Sequence, residues 1–467
     1  MLREHWSVMM ASGSRIEKFE ITPASAWRIL YPLIDTEIRK RLALSPRNRE
    51  LKKSRNSIIS SCDTLLQRIL SHESQKVVAA SATVRGDDAQ AVVDFIDQEL
   101  INFDSPSHRW LRIVSLLSQI CVSAQVYPQA CKVLNDHKFD TSSPIAKDGH
   151  ATIFKATREE GTKPLRLKVA HSGPQVSTSF FLKIQLMEVA LLTHLSHQNV
   201  LPFYGVFTDP RSQRLCTVFP WMNNGTVVEY ASRTFPKNPR KRLPLIADII
   251  EGLCYLHELN IVHGDLKGTN ILVSDDGRAL IAELGQANFT LIPINLGDEP
   301  PLLTPHWTAP ELLDDEVSRR PTKESDIWSF GCVIYEVLTM LIPYSNLTTT
   351  LQLIVAHARE EHPRRSGLED DIWLAVTKCM RFDASARPSC YQARGLIASL
   401  EFVNNSFERR ARGMKRLRNS GKNERGESPE GGDRRQVEIS YGFVHNALQS
   451  VLDGANEDSY PSTSTDS

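Results

Sequence analysis

The chain has 467 residues, of which 41% are hydrophobic, and its 55 Lys and Arg residues balance its 55 Asp and Glu residues. This length predicts two to three domains, with enough apolar side chains to fill their cores. Because the formal net charge is zero, no overall field draws the molecule to nucleic acid or to a membrane surface. We expect no DNA or RNA site, and any charged binding surface must be local.

The cysteines and the N-terminus indicate an intracellular protein. The eight cysteines are dispersed and include no C-x-x-C pair, which is typical of reduced thiols rather than of disulfides or a zinc site. Arg3, Glu4 and His5 interrupt the region where a secretory signal requires apolar residues. No run of about 18 apolar residues follows. We therefore expect no export signal, no membrane span and a cytoplasmic location, with the nucleus as an alternative.

Residues 21–135 are predicted to be helical, after a flexible N-terminus of residues 1–20. Four segments carry apolar residues at three- and four-residue spacing, as one face of an amphipathic helix requires. These residues are Trp27, Leu30, Ile34 and Ile38; Ile58, Cys62, Leu66 and Ile69; Val92, Phe95, Ile96 and Leu100; and Leu111, Val114, Leu117 and Cys121. A buried core alone explains the four stripes, and a docking or regulatory module is the alternative interpretation.

The pattern changes within residues 138–405. Short apolar runs at 165–169 and 215–219 are broken by Gly, Pro and charged residues, as strands would be, and a mainly helical stretch begins near Leu243. A small β-rich part followed by a larger α-rich part predicts an α+β fold with two lobes. We place the small lobe at residues 138–222 and the large lobe at 223–405.

Residues 406–467 are predicted to be a disordered tail. The tail is basic between Arg409 and Arg418 and then rich in Gly, Ser, Glu and Asp, with no periodic apolar face recognised in it. A solvated helix extension is the favoured interpretation of the basic stretch, and a nuclear import signal or a contact with an acidic surface is the alternative.

The strongest chemical signal is the run HGDLKGTN from His263 to Asn270, which Glu283-Leu284-Gly285 follows. The run places a carboxylate, an ammonium group and an amide close together in the chain. Such a polar run is weak support alone, because solvated loops also contain it. Here three further elements follow in order, namely TPHWTAPE at 304–311, DIWSFG at 326–331 and RPS at 387–389.

Together these elements resemble the catalytic loop, the metal-binding turn, the Ala-Pro-Glu motif and the central large-lobe helix of protein kinases. The resemblance implies a two-lobed protein-kinase-like fold that uses ATP with Mg²⁺, or alternatively Mn²⁺, and acts on a protein substrate or signalling partner. It implies that Asp265 accepts the proton of the substrate hydroxyl and that Lys267 neutralises the transferring phosphate. Asn270 and Glu283 would hold the metal ion. The residues implied to have structural roles are His263, Glu311, Asp326 and Arg387, with Glu311 paired to Arg387.

The resemblance continues upstream on the nucleotide side. Lys168 stands where the family's strand lysine contacts the α and β phosphates, and Glu188 stands where its helix partner belongs. Phe219 would be the gatekeeper, and Trp221 and Met222 the hinge beside adenine. Lys267 and Thr304 favour the serine/threonine or tyrosine-kinase-like branch. The preceding segment is similar to the helical lead-in of kinase-like proteins of mushroom-forming fungi.

Two nucleotide-holding features depart from the family pattern. The glycine-rich loop should read G-x-G-x-x-G, but its positions are Ala146, Asp148 and Ala151, with Gly149 displaced by one residue. The carboxylate of Asp148 would repel the phosphates of a bound nucleotide. Glu283 replaces the metal-binding aspartate, so that the charge is kept but an extra methylene displaces it.

The third departure is Gly264, which replaces an arginine that pairs with a phosphorylated activation segment in many kinases. A phosphate on Thr290 or Thr304 would therefore lack its usual partner. Two hypotheses remain. The chain is either an ATP-dependent serine/threonine kinase in intracellular signalling or a pseudokinase scaffold with weak or no turnover.

Overall fold

A computed structural model describes residues 46–72, 74–101, 108–133, 139, 143–147, 151–157, 163–170, 178–209, 214–284, 288–289, 304–313, 320–400 and 437–456. The chain divides into two compact units, residues 1–61 and 62–467. Of the first unit, the described residues 46–61 form the beginning of helix α1 (Pro46–Ser71). The second unit contains the sheet and the remaining helices.

The described elements of the second unit form a small β-rich lobe and a large helical lobe, with helices before and after them. The helices that follow α1 are α2 (Ser74–Ser81), α3 (Gly86–Ile101), α4 (His108–Ala124), α5 (Thr178–Leu192), α6 (Val227–Thr234), α7 (Leu243–Glu258), α8 (Pro310–Leu313), α9 (Lys323–Thr339), α10 (Thr350–Ala358), α11 (Asp370–Cys379), α12 (Cys390–Ala398) and α13 (Tyr441–Asn456). The strands are β1 (Pro144–Lys147), β2 (Ala151–Ala156), β3 (Leu165–Ala170), β4 (Gly205–Thr208), β5 (Leu215–Pro220), β6 (Ile261–Val262), β7 (Ile271–Val273), β8 (Ala279–Ile281) and β9 (Asn288–Phe289).

The helical region before the sheet is confirmed for the residues that the structure describes. Three of the four predicted amphipathic segments correspond to α1, α3 and α4, and most of their apolar stripe residues are buried, among them Leu66, Val92 and Leu117. The short helix α2 was not predicted. The predicted segment at residues 27–38 lies outside the described residues.

The prediction of a disordered tail is wrong for residues 437–456. Residues 441–456 form α13, which packs against α2 and α3. The buried apolar positions of α13 recur at three- and four-residue spacing, and they are Val444, Ala447, Leu448, Val451, Leu452 and Ala455. This face was missed because the polar composition of the whole segment 406–467 masked a single periodic stretch. The rest of the tail lies outside the described residues.

The small lobe is built on a five-stranded antiparallel sheet with the order β1-β2-β3-β5-β4. Residues just after α4 extend its β4 edge, where Lys132 pairs in parallel with Val206 and Val133 N donates to Val206 O at 2.7 Å. Gly205 allows this approach, because a Cβ there would lie 2.3 Å from Cys131 O. The N-terminal helices are therefore connected directly to the sheet of the small lobe.

Helix α5 lies between the N-terminal helices and the sheet. Its sequence is apolar on almost all sides, as a helix buried on several faces requires. Helix α4 packs along it, while Gln185 Nε2 donates to Leu215 O of β5 at 2.7 Å. Just after α5, His194 Nε2 lies 3.0 Å from Asp97 Oδ1 of α3, with both side chains buried. These contacts hold Glu188, which α5 carries, at a defined position.

The large lobe packs around α7 and α9, and the core residues Trp328 and Phe330 of α9 are fully buried. The β7–β8 hairpin and the β6–β9 pair form two further two-stranded sheets. This arrangement confirms the predicted α+β fold with two lobes.

Among the residues that the structure describes, no helix combines the length and the apolar character needed to cross a membrane.

Candidate active site

The loop between β6 and β7 is held by one buried carboxylate. Asp326, in the first turn of α9, accepts hydrogen bonds from His263 N at 2.8 Å and from Gly264 N at 2.9 Å. The ring nitrogen His257 Nε2 also lies 2.9 Å from Asp326 Oδ2. On its other side, His263 Nε2 contacts Ala282 O at 3.0 Å. The loop is thus fixed both to α9 and to the segment that follows β8.

Three of the candidate residues come together on this loop, and Thr304 of a later segment contacts two of them. Asp265 Oδ1 accepts a hydrogen bond from the Thr304 hydroxyl at 2.7 Å, and Asp265 Oδ2 lies 2.8 Å from Lys267 Nζ. Lys267 Nζ also donates to Thr304 Oγ1 at 2.9 Å. Asn270 Nδ2 donates to Asp265 O at 2.8 Å and to Asp265 Oδ2 at 2.9 Å. A carboxylate, an ammonium group and a hydroxyl are therefore in mutual contact.

A second cluster crosses from the small lobe to the large lobe. Lys168 Nζ on β3 donates to both carboxylate oxygens of Glu188 at 2.9 Å. The same Nζ lies 2.7 Å from Glu283 Oε2. Arg166, two residues before Lys168, places its Nη2 2.6 Å from Glu283 Oε1. The cluster contains two cations and two carboxylates.

The ionisation of Glu283 follows from these contacts. Burial by itself would raise the pKa of Glu283, but the charges of Lys168 and Arg166 outweigh burial and hold this pKa well below its ordinary value. Burial likewise would lower the pKa of Lys168, yet the adjacent carboxylates of Glu188 and Glu283 raise it. Both residues are therefore charged at neutral pH.

The predicted hinge residues follow β5. Phe219 near the end of that strand is 2% exposed, and Trp221 and Met222 are half-buried. Arg166 is the cross-strand partner of Phe219, and its guanidinium carbon lies 5.8 Å from the centre of the Phe219 ring. In the glycine-rich loop, Ala146 lies in β1, while Asp148 and Gly149 fall outside the described residues.

Of the two predicted metal ligands, Glu283 does not fit a divalent cation as it is arranged, because both of its oxygens lie within 2.7 Å of cationic nitrogens. Asn270 fits better, because it donates to Asp265 through Nδ2, and this bond does not involve Oδ1, the atom that would bind a cation. Hard cations such as Mg²⁺ require several oxygen ligands. The described part of the chain also contains no group of three or more His, Cys, Asp and Glu residues that could hold a metal ion.

One ion pair and one buried carboxylate that accepts two hydrogen bonds brace the large lobe. Arg387 donates to Glu311 through Nη1 at 2.6 Å and through Nη2 at 2.7 Å, which makes the predicted pair bidentate. Glu336 of α9 accepts from Gly268 N at 2.9 Å and from Trp307 Nε1 at 2.8 Å. Gly268 packs closely against this carboxylate, because a Cβ there would lie 2.5 Å from Val228 Cγ2 and 2.7 Å from Glu336 Oε2.

The sequence interpretation missed three residues that the structure brings to the site, namely Arg166, His257 and Glu336. Arg166 could have been noticed in the sequence, because the kinase strand signature V-A-I-K has alanine two residues before the lysine. An arginine at that position departs from the family pattern as much as the residues of the glycine-rich loop do. His257 and Glu336 have no comparable local signal, since their partners are distant in sequence.

The His257–Asp326 contact predicts a pH dependence of stability. Burial lowers the pKa of His257, but the contacts with Asp326 and Cys390 outweigh burial and raise this pKa to about 9. The pKa of a histidine in the unfolded chain is about 6.5. The contribution of this contact to the free energy of unfolding is therefore complete below pH 6.5 and is lost as the pH rises through 9.

We expect the free energy of unfolding of the wild-type protein to fall by up to about 3 kcal/mol more than that of His257→Gln between pH 6.5 and 9. Denaturant melts at both pH values measure this difference. Cys390→Ser is the control for the neighbouring thiol. Equal pH dependence of the wild type and His257→Gln would contradict the expectation.

The comparisons with known proteins agree with this geometry. The family model described as protein kinase domain matches residues 141–395. MAP3K epsilon protein kinase 1 of Arabidopsis thaliana is 29% identical over 255 residues, which are 54% of this chain and 18% of that protein. Cytokinesis protein sepH of Aspergillus niger is 30% identical over 224 residues, which are 48% of this chain and 16% of that protein. Cell division control protein 7 of Schizosaccharomyces pombe is 31% identical over 245 residues, which are 52% of this chain and 22% of that protein.

Proposed function

Because the chain belongs to the protein kinase domain family, we propose that it transfers the γ-phosphate of ATP to serine or threonine hydroxyls of a protein. The observation that carries the proposal is the cluster in which Asp265 accepts a hydrogen bond from the hydroxyl of Thr304 while Lys267 contacts both residues. A substrate hydroxyl held in the same way would have its base and its neutralising cation already in place.

In the proposed reaction, Asp265 orients the substrate hydroxyl and accepts its proton as the oxygen attacks the γ-phosphorus. A bond forms between that oxygen and phosphorus, and the bond from phosphorus to the β–γ bridging oxygen breaks, so that ADP leaves. Lys267 neutralises the negative charge of the transferring phosphoryl group. Asn270 fixes the orientation of the Asp265 carboxylate through its amide nitrogen.

On the nucleotide side, Lys168 would contact the α and β phosphates and Glu188 would hold it in position. Their buried ion pair at 2.9 Å supports this assignment. Trp221 and Met222 would flank the adenine, with Phe219 behind it. The names of the relatives, which include a MAP3K and a cell division control protein, support a role in intracellular signalling.

A pseudokinase scaffold is the second candidate function. It is favoured by the engagement of both Glu283 oxygens with Arg166 and Lys168, and by alanine at the loop positions 146 and 151. Such a protein would use the same two lobes as a binding surface without transferring phosphate. A fold alone does not decide between the two functions.

The test is phosphate transfer by the purified full chain. With radiolabelled ATP and general protein substrates, we expect phosphoserine and phosphothreonine in the acid hydrolysate. Lys168→Met should abolish the labelling, because it removes the cation that contacts the nucleotide phosphates. Lys241→Met changes an exposed lysine of the large lobe and should label as the wild type does. A folded wild-type protein that labels nothing would favour the scaffold.

A further inference from the structure

Arg166 occupies the cleft between the lobes from the hinge side. Side chains two residues apart on a strand leave the same face of the sheet, so Arg166 and Lys168 both point from β3 towards the large lobe. Arg166 pairs across the sheet with Phe219, whereas Lys168 pairs with Thr217, which is farther from the hinge. The Arg166 side chain therefore begins beside the predicted adenine position and ends at Glu283.

The Arg166–Glu283 contact joins the two lobes. Arg166 belongs to β3 of the small lobe, and Glu283 follows β8 of the large lobe, 117 residues later. The distance from Nη2 to Oε1 is 2.6 Å, and the side chains are 11% and 21% exposed. An ion pair so shielded from solvent is screened little by salt. It resists separation of the lobes and occupies the space between them.

The charges of the cluster are also balanced internally. Arg166 and Lys168 are neutralised by Glu188 and Glu283, with contacts between 2.6 and 2.9 Å. A polyphosphate entering the cleft must therefore draw at least one cation away from a carboxylate that already satisfies it. The family's metal ion meets the same obstacle at Glu283, whose two oxygens are both engaged.

We propose that the Arg166–Glu283 ion pair is a latch that closes the nucleotide cleft, so that Arg166 limits the access of ATP. The latch rests on the proposed function, because it regulates the site at which that function places ATP. ATP binds only after the arginine side chain has left Glu283 and the space beside the hinge.

The latch is reversible because one hydrogen-bond donor of Arg166 lacks a partner in the closed state. Arg166 Nη1 is buried and makes no hydrogen bond within the part of the chain that the structure describes. A buried donor without a partner destabilises the conformation that contains it. Opening exposes this group to solvent or to an acceptor on a ligand, and this gain partly offsets the loss of the ion pair.

The latch predicts how Arg166 affects nucleotide affinity. When a binding-competent state has a population f, the apparent dissociation constant is the intrinsic one divided by f. If the open state holds about a tenth of the molecules or less, removal of the latch tightens ATP binding by about tenfold or more. The gain should appear with and without a metal ion, because the obstacle is the side chain itself.

The experiment is calorimetric titration of ATP into the full chain, first in EDTA and then in MgCl₂. Arg166→Ala should bind ATP at least about tenfold more tightly than the wild type in both buffers. Arg166→Met keeps most of the side-chain stem but breaks the ion pair. Its affinity for ATP should therefore lie between those of the wild type and Arg166→Ala. Arg359→Ala removes an arginine with a 71% exposed side chain and should bind as the wild type does.

Affinity of Arg166→Ala equal to or weaker than that of the wild type would overturn the latch, and weaker binding would instead make Arg166 a phosphate ligand. Circular dichroism establishes that each variant is folded. Should Arg166→Ala fail to fold, Arg166→Met carries the test, and an unchanged affinity in it overturns the proposal.

Binding separates the latch from the proposed function. If Arg166→Ala binds ATP tightly but transfers no phosphate, the latch stands and the kinase proposal fails. If the wild type transfers phosphate and Arg166→Ala binds ATP no more tightly, the kinase proposal stands and the latch fails.

Discussion

Asp265→Asn is expected to lower the rate of phosphate transfer by about 10² to 10⁴-fold, the range that a positioned general base contributes. Affinity for ATP should stay within about twofold, because Asp265 acts on the hydroxyl and does not contact the nucleotide. The Asp265 carboxylate is the acceptor for Thr304 and the partner of Lys267. An amide at this position cannot take the proton and does not balance the ammonium group.

Single-turnover labelling with saturating ATP measures the rate, and titration of ATP measures the affinity. Asp275→Asn makes the same chemical change at an exposed position ten residues later, and it should leave both quantities unchanged. Labelling by Asp265→Asn at the wild-type rate would mean that the measured signal does not come from this site. A loss of ATP affinity as large as the loss of rate would assign Asp265 to nucleotide binding instead.

The parts of the site that the sequence predicted are those whose partners are near in sequence or follow a fixed order. Asp265, Lys267 and Asn270 lie within six residues, so one loop conformation brings their side chains together. The Lys168–Glu188 and Glu311–Arg387 pairs are separated in sequence but were expected from the order of the kinase motifs, and both contacts are present in the structure. The roles assigned to these residues in catalysis remain predictions.

Other features depended on partners that no local pattern identifies. Arg166 departs from the strand signature, but no local pattern identifies its partner Glu283, which is 117 residues away. Helix α13 packs against helices that lie more than 300 residues earlier in the chain. Cys62 Sγ, for example, contacts Tyr441 O across a separation of 379 residues. Propensity and periodicity describe a segment, whereas burial depends on the tertiary fold.

The Arg387–Glu311 pair is expected to support the stability of the large lobe rather than the chemistry. The Arg387 side chain is fully buried, whereas that of Glu311 is 33% exposed. Arg387 also donates to Glu324 O at 3.0 Å and lies 5.2 Å from the ring centre of Trp328. Neutralising Glu311 therefore leaves a desolvated guanidinium with no anionic partner, whose other acceptors are backbone oxygens.

Glu311→Gln should lower the free energy of unfolding by about 3 to 5 kcal/mol, the usual cost of stranding a buried charge. The double variant Arg387→Met with Glu311→Gln should lose less free energy of unfolding than the two single variants together, because it leaves no unpaired charge. Denaturant melts of the four proteins give this coupling energy, and Glu324→Gln, at an exposed position, is the matched control. If Glu311→Gln melted as the wild type does while phosphate transfer was lost, the pair would act in catalysis. The stabilising role assigned to it would then be wrong.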